Sequence, residues 1–316
     1  MKIFDLTYVL PKRQKLLGIK KNKPPLDEDS LEQLNIKSGT KLMMMGCNDE
    51  LEEIEVNDNI KNDLDDNLVE EEINICQRVE NLDKIEKRVL NYNIKSYHEP
   101  REGKYLLVLD IDGTIFDHKS YAERGSELMR PYLHEFLNTV YNYYDICIWS
   151  ATKMKYIEAK VIQMGIIRSS PSNQIQNSLS ASHNDSPPQA SEYKINFFLD
   201  HNAMINVYTE KSGLIEVKPL AFIWGKFPGK YTPQNSIIVD DCRKNFLMNP
   251  QNGLRIYPFH NTHTDEQQDE DLLWLGKYLE FIAINFNGNF SELDHTHWKR
   301  FNYLRFRNIK DGRKID

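Results

Sequence analysis

Two aspartates separated by one residue, Asp110 and Asp112, follow an apolar run in the segment YLLVLDID. Alternate side chains of a strand point the same way, so both carboxylates would face one small volume at the strand's end. Neighbouring carboxylates repel each other and favour a divalent cation between or beside them. A phosphate group needs such a cation to offset its charge. The pair therefore indicates Mg²⁺-supported phosphoryl chemistry.

The two acids can divide the work of such a reaction. An ionised Asp110 can attack phosphorus and form an aspartyl-phosphate. Asp112 can protonate the leaving oxygen and then deprotonate the water that breaks the intermediate. Gly113 permits a tight turn after the strand, and the Thr114 hydroxyl can support the loop, the nucleophile or a bound phosphate. The competing interpretation is a strand that ends in two solvated aspartates, and the remaining motifs weigh against it.

Four further residues with suitable chemistry follow in chain order. Ser150 ends the apolar segment DICIWS, and its hydroxyl and the next backbone N–H could hold a phosphate oxygen. Lys218 supplies a fixed positive charge for the phosphoryl group. Asp240 and Asp241 end the run IIVDD, where one would complete the Mg²⁺ ligands and the other would support the metal through hydrogen bonds. Alone they would be a helix cap, a surface lysine and a turn, but together they predict one site.

The elements that would position these residues alternate between apolar strands and amphipathic helices from about Tyr105 onward. This alternation predicts an α/β domain with a doubly wound, Rossmann-like sheet, whose ligands bind at the carboxyl ends of the strands. Residues 193–230 are predicted to form a small β-rich insert beside the sheet. Residues 168–192 are rich in Ser, Asn, Gln and Pro, which predicts a disordered insertion.

The first 92 residues divide into three zones by charge. Residues 1–46 are basic and contain two short predicted strands. Residues 47–72 are acidic, which predicts a solvated linker. The alternative for this acidic zone is a clamp that binds a basic partner. Apolar residues at helical spacing within 73–92 predict a helix that docks on the next domain. The predicted domains are therefore 1–46 and 73–316, joined by the acidic linker.

Composition limits the partners and the compartment. The chain has 316 residues and a net charge of -7, which argues against non-specific nucleic-acid binding. Its basic, aromatic segment after Trp298 fits a helix packed on its own domain better than a nucleic-acid surface. The four cysteines form no CxxC pair, which argues against a zinc site and indicates a reducing compartment. Without a visible signal or membrane-spanning run, we expect an intracellular protein with no membrane partner.

Five segments carry a resemblance to a known family: LVLDIDGTIFDH, ELMRPYLHEFL, DICIWSAT, LIEVKPLAFIWGKF and RKNFLMNPQNGL. They resemble the FCP/SCP phosphatases of the haloacid dehalogenase (HAD) superfamily, whose signature is DxDGT followed by an apolar residue. The resemblance implies a HAD phosphatase domain with a small β insert, preceded by a partial, ubiquitin-like α+β domain. That N-terminal domain is expected to be partial because the sequence starts at what looks like the end of its helix.

The resemblance also implies roles for the site residues. Asp110 is similar to the family's nucleophile and metal ligand, and Asp112 to its acid/base, which also offers the metal a backbone carbonyl. Asp241 resembles the third protein ligand of Mg²⁺. Ser150 and Lys218 resemble the pair that holds the phosphate. Asp240 corresponds to the first acid of the last motif, in a supporting role.

The family dephosphorylates phosphoserine in the C-terminal repeat of RNA polymerase II and in other proteins. Members with a ubiquitin-like domain bind the proteasome in the nucleus. The resemblance therefore implies a Mg²⁺-dependent protein serine/threonine phosphatase, nuclear or also cytoplasmic. Its implied partners are a phosphoprotein substrate and the 26S proteasome, which residues 1–46 would contact.

Two other functions compete with this one. The first is a small-molecule phosphatase on the same fold, but the short insert at 193–230 favours a site open enough for a peptide. The second is a non-catalytic, ubiquitin-like proteasome-binding module. The intact set of Asp110, Asp112, Lys218 and Asp241 argues against that.

Overall fold

The computed structural model describes most of the chain from residue 75 to residue 299 and a few short pieces before it. The described residues are 15–17, 32–34, 36–37, 43–45, 75–167, 193–260, 269–286 and 289–299. The predicted linker 47–72 and the predicted insertion 168–192 lie outside them. Strands β1 (Lys15–Leu17) and β2 (Met43–Met45) pair antiparallel within the predicted N-terminal domain.

A parallel sheet forms the centre of the described structure. The described strands after residue 100 are β3 (Tyr105–Leu109), β4 (Tyr144–Trp149), β5 (Ile195–Leu199), β6 (Ile205–Thr209), β7 (Gly213–Val217), β8 (Ser236–Asp240) and β9 (Gly253–Arg255). The strands of the central sheet follow the order β5-β4-β3-β8-β9, with β3 in the middle. Strand β3 consists almost entirely of buried apolar residues, as expected for a parallel strand covered on both faces.

Helices cover both faces of this sheet, which confirms the predicted doubly wound α/β class. The described helices are α1 (Val79–Asn91), α2 (Leu133–Tyr141), α3 (Met154–Gln163), α4 (Leu220–Lys226) and α5 (Asp271–Asn285). Leu107 and Leu109 contribute to one apolar core with α2, α3 and α5, whereas Leu106 and Val108 contribute to a second core with α1 and α4. None of the described helices combines the length and apolar composition that crossing a bilayer requires.

Of the β-rich pieces predicted within residues 193–230, only the antiparallel hairpin of β6 and β7 forms a separate insert. Strand β5 belongs to the central sheet instead, because its INFFL side chains are apolar on both faces and all buried. The segment LAFIWGK forms helix α4, although its aromatic and β-branched residues resemble a strand in composition. The insert is therefore smaller than the sequence predicted.

Helix α1 packs against the hairpin from outside, as a helix docked on the domain should. Three cationic side chains of this region donate hydrogen bonds to alternate backbone carbonyls along β6, at 2.8–3.1 Å. These carbonyls lie on the strand edge that does not pair with β7, so the helix satisfies the hairpin's outer edge. The donors are Arg78, Lys84 and Arg88, and the accepting carbonyls belong to Tyr208, Asn206 and Met204, respectively.

Candidate active site

The predicted site residues meet at the carboxyl ends of three neighbouring strands. Asp110 follows β3 directly, and its backbone N–H donates to the Val239 carbonyl of β8 at 3.0 Å. Ser150 follows β4, Asp240 is the last residue of β8, and Lys218 reaches the same place from the end of β7. The parallel register of β3 with β4 and β8 brings these ends together, as the strand-end argument predicted.

Lys218 is a fully buried cation that joins two of the acids. Its Nζ donates to Asp110 Oδ1 at 2.5 Å and to Asp240 Oδ2 at 2.7 Å. Its backbone N–H donates to the Asn245 carbonyl at 2.6 Å, which fixes the start of the side chain. Burial disfavours the charged form, but the two carboxylates outweigh it and raise the pKa of Lys218 above its usual value. The lysine is therefore a permanent, immobile positive charge.

Asp110 is held at both carboxylate oxygens. Thr114 Oγ1 donates to Asp110 Oδ2 at 3.0 Å and accepts from the Asp241 backbone N–H at 3.1 Å. Because this hydroxyl is buried and bonded on both sides, the structure favours support of Asp110 over the predicted phosphate contact. Burial and the nearby Asp240 carboxylate raise the pKa of Asp110 to about 7. Lys218 opposes that rise but does not cancel it.

A cluster of three carboxylates offers ligands for a cation. One oxygen each from Asp110, Asp240 and Asp241 lies within 4.8 Å of the others. Burial and the Asp110 charge raise the pKa of Asp241 to about 6, which marks an excess of negative charge. Hard carboxylate oxygens and a surplus of negative charge suit Mg²⁺. The residues present therefore fit the predicted metal.

Asp240 is the member of this cluster with a supporting environment, as the sequence indicated. Both of its oxygens accept from Asn245 Nδ2 at 2.8 Å, and Oδ1 also accepts from the Cys242 N–H at 2.9 Å. With Lys218 on Oδ2 as well, the carboxylate is saturated by protein donors. Asn245 escaped the sequence analysis because a turn asparagine resembles a simple backbone cap.

The side chain of Asp112 pairs with a second lysine, which lies on α3. Lys160 Nζ donates to its two oxygens at 2.5 and 2.6 Å, and Ser150 Oγ lies 3.4 Å from Oδ2. Ser150 Oγ also pairs with Thr152 Oγ1 at 2.9 Å. Lys160 was missed by the sequence analysis. Its position three residues after Ile157, on the buried face of α3, was the signal that could have identified it.

Arg130 connects the loop that follows β3, residues 110–116 (the catalytic loop), to the start of α5. Its Nη1 donates at 3.0 Å to the carbonyls of Thr114 and Tyr257. Its other nitrogens pair with the carboxylates of Asp269 and Asp271 at 2.9–3.1 Å. The buried guanidinium therefore fixes the loop that carries Asp110 and Asp112.

Comparison with known proteins identifies the family of this chain. A family model described as NLI interacting factor-like phosphatase matches residues 105–290, a range that contains every site residue described above. Ubiquitin-like domain-containing CTD phosphatase 1 of Gallus gallus is 49% identical over 302 residues, which cover 94% of this chain and 87% of that protein. The Danio rerio protein of that name is 48% identical over 306 residues, covering 95% and 88%.

A solved structure of the fission yeast RNA polymerase II CTD phosphatase Fcp1, bound to beryllium fluoride, is also similar. The matched region covers 75% of this chain and 70% of the Fcp1 chain, with 12% sequence identity and a TM-score of 0.29. That score is too low for a residue-by-residue comparison, so the assignment rests on the family match and on the near-complete coverage by close relatives. The chain belongs to the NLI interacting factor-like phosphatases and is a protein phosphatase.

Proposed function

We propose that this phosphatase hydrolyses phosphoserine and phosphothreonine in proteins through an aspartyl-phosphate on Asp110, with Mg²⁺ as its metal. The observation that carries the proposal is the buried Asp110 carboxylate, held at one oxygen by Lys218 and at the other by Thr114. A nucleophile must be fixed and must lie beside a charge that can receive the phosphoryl oxygens. Asp110 meets both requirements.

Asp110 and Asp241 would hold Mg²⁺ through their carboxylates and Asp112 through its backbone carbonyl, as the family resemblance implies. Asp240 would not need to bind the metal, because its oxygens already accept from Lys218 and Asn245. When bound, Mg²⁺ supplies positive charge that offsets the phosphate and its developing transition-state charge.

The first half of the reaction transfers the phosphoryl group to the protein. A carboxylate oxygen of Asp110 forms a bond to phosphorus while the bond from phosphorus to the serine or threonine oxygen breaks. Asp112 gives its proton to that leaving oxygen. Lys218, together with Ser150, stabilises the phosphoryl oxygens.

The second half releases phosphate and restores the enzyme. Asp112, now a carboxylate, takes a proton from a water molecule as the water oxygen bonds to phosphorus. The bond between phosphorus and Asp110 breaks, which leaves inorganic phosphate and a free Asp110 carboxylate. Asp112 thus donates a proton in the first half of the reaction and accepts one in the second.

The proposed substrates are phosphorylated proteins, including the RNA polymerase II C-terminal repeat and proteasome subunits. The names of the relatives, which describe CTD phosphatases with a ubiquitin-like domain, support the first of these substrates. The family resemblance implies the second. The insert is a hairpin of two five-residue strands, and so small an insert favours a site open enough for a peptide. A nuclear location and contact with the 26S proteasome through residues 1–46 belong to the same proposal.

Replacing Asp110 by Asn tests the nucleophile, because the amide keeps the shape but cannot attack phosphorus. We expect Mg²⁺-dependent phosphate release from a phosphoserine peptide to fall by at least about a thousandfold, and EDTA to abolish it in the wild type. The exposed Asp83 of α1 provides a matched Asp→Asn control that should keep full activity. Residual activity above a thousandth of the wild type would contradict the assignment of Asp110.

The competing functions give different results in the same assay. A small-molecule phosphatase would hydrolyse sugar phosphates as efficiently as phosphopeptides, measured as kcat/KM. A non-catalytic binding module would release no phosphate even when folded and saturated with Mg²⁺. We expect phosphopeptides to be the better substrates by a wide margin.

A further inference from the structure

Lys160, on helix α3, has no part in the reaction described so far. Only 5% of the residue is exposed, and its ammonium group contacts both oxygens of Asp112 at 2.5 and 2.6 Å. We propose that Lys160 is a positioning residue, which orients the Asp112 carboxyl group toward the leaving oxygen and the attacking water. This inference rests on the proposed function and adds a second lysine to its machinery.

The surroundings of Lys160 make its ammonium group a fixed point. It lies in the last turn of α3, between the buried residues Ile157 and Val161, and its carbonyl accepts from the Met164 N–H at 2.9 Å. Its Nζ also lies 5.7 Å from the centre of the Phe116 ring. A buried ammonium is costly unless it is paired, so the contact with Asp112 has a strong physical basis.

Asp112 is the partner that needs to be held. It lies in the loop after β3, and 20% of its side chain is exposed, compared with 6% for Lys160. A carboxyl group that contacts one cation through both oxygens cannot rotate freely about its last bond. Proton transfer requires the acid within hydrogen-bond reach of the oxygen, and a displacement of about 1 Å can cost about a hundredfold in rate.

The two lysines keep the two reactive acids in separate roles. Lys218 contacts Asp110 and Asp240, whereas Lys160 contacts Asp112. During the first half-reaction the proton passes from Asp112 to the leaving oxygen, and the carboxylate that remains faces the Lys160 charge. During the second it takes a proton from water.

This role predicts a dependence on the leaving group. A serine alkoxide is a strong base and leaves only when Asp112 protonates it, whereas p-nitrophenolate is a weak base and leaves without a proton. A misplaced Asp112 should therefore slow the formation of aspartyl-phosphate from phosphoserine far more than from p-nitrophenyl phosphate. Loss of a phosphate-binding group would instead affect both substrates alike.

The test is to compare Lys160→Met with the wild type on a phosphoserine peptide and on p-nitrophenyl phosphate at saturating Mg²⁺. We expect kcat for the peptide to fall about a hundredfold and kcat for p-nitrophenyl phosphate to fall less than about tenfold, with KM nearly unchanged. Lys160→Arg should restore most of the peptide activity, because a guanidinium can also contact both carboxylate oxygens. Lys155→Met, at an exposed position on the same helix, should match the wild type.

Three outcomes would overturn the inference. Equal losses on both substrates with a raised KM would make Lys160 a phosphate-binding residue, and equal losses in kcat without rescue by Arg would make it structural. Wild-type activity in a folded Lys160→Met protein would show that Asp112 needs no such support. If the Met variant does not fold, Lys160→Gln provides the same comparison. A wild type inactive on both substrates would instead contradict the proposed function itself.

Discussion

Gly113 determines how closely the catalytic loop approaches Asp241. Its φ of +85° favours glycine, and a Cβ at this position would lie 2.6 Å from Asp241 Oδ2. Because Asp241 is a proposed Mg²⁺ ligand, we expect Gly113→Ala to displace its carboxylate and to raise the Mg²⁺ concentration for half-maximal activity at least about tenfold, the scale seen when a metal ligand is disturbed. A Mg²⁺ titration of phosphate release measures this change.

Gly103 provides the matched control for that substitution. Its φ is +69°, but no atom lies within 4 Å of a Cβ built there. Gly103→Ala should therefore cost about 1–2 kcal/mol of backbone strain and leave the Mg²⁺ requirement unchanged. The assignment of Asp241 as a metal ligand would fail if the Gly113 variant behaved in the same way.

At the residue scale, the sequence predicted those site residues that stand at strand ends. Asp110, Ser150 and Asp240 meet as expected, because consecutive parallel strands bring their carboxyl ends to one edge. Lys160 and Asn245 could not be found in this way, because each reaches the site from a helix or turn whose orientation depends on tertiary packing. The sequence identifies which residues end a strand, but it does not show which helix side chains contact those residues.

At the scale of elements, Arg130 makes the catalytic loop and the start of α5 depend on each other. Arg130→Met would remove a partner of Asp269 and of Asp271, although Asp271 keeps its ion pair with Lys299 at 2.6 Å. It would also leave the carbonyls of Thr114 and Tyr257 without this donor. We expect it to lower the free energy of unfolding by about 2–4 kcal/mol, since one side of a buried ion-pair network is lost. Urea unfolding at neutral pH, with kcat measured in parallel, checks this value.

The conservative change to lysine is the control for Arg130. A single ammonium cannot contact two carbonyls and two carboxylates at once, so Arg130→Lys should recover the charge but only part of the lost stability. If the free energy of unfolding of Arg130→Met lies within about 0.5 kcal/mol of the wild-type value, the network adds nothing to stability. Many exposed ion pairs behave in that way.

The order of the helices and strands was predictable where the hydrophobic pattern of a segment fits only one type of element. The strands at Tyr105–Leu109 and Tyr144–Trp149 and the helices that follow them lie where the alternation placed them. The pattern was ambiguous at Leu220–Lys226, where aromatic and β-branched residues suit a strand or a buried helix equally well. Contact with α1, made from residues far away in the sequence, favours the helix there.

At the scale of the whole molecule, stability in acid should depend on a buried imidazole that links α5 to the segment after it. His295 is 3% exposed, and its two nitrogens pair with the Tyr278 hydroxyl and the Phe290 carbonyl. Burial lowers the pKa of His295 below the usual 6.5, although the Phe290 carbonyl and Asp294 oppose this. The unfolded chain therefore binds a proton before the folded one does, and stability falls as the pH drops below about 6.5.

Replacing His295 by Gln should reduce that loss. We expect the difference in unfolding free energy between pH 7.5 and pH 5 to be smaller in His295→Gln than in the wild type, as measured by urea unfolding. The exposed His98 is the control, and His98→Gln should show the same difference as the wild type. Identical pH profiles for all three proteins would exclude His295 as a source of acid sensitivity.

Helix α1 lies before the range that matches the family, yet the phosphatase domain depends on it. Its cationic side chains cover the outer edge of β6, and Ile75 and Ile85 are buried in the core on that side of the sheet. A chain cut at residue 105 would leave that edge and apolar surface open to pairing with other molecules. Lys218 follows β7 directly, so the disturbance would extend to the active site. We therefore expect the smallest autonomous catalytic unit of this protein to include residue 75 and the helix that follows it.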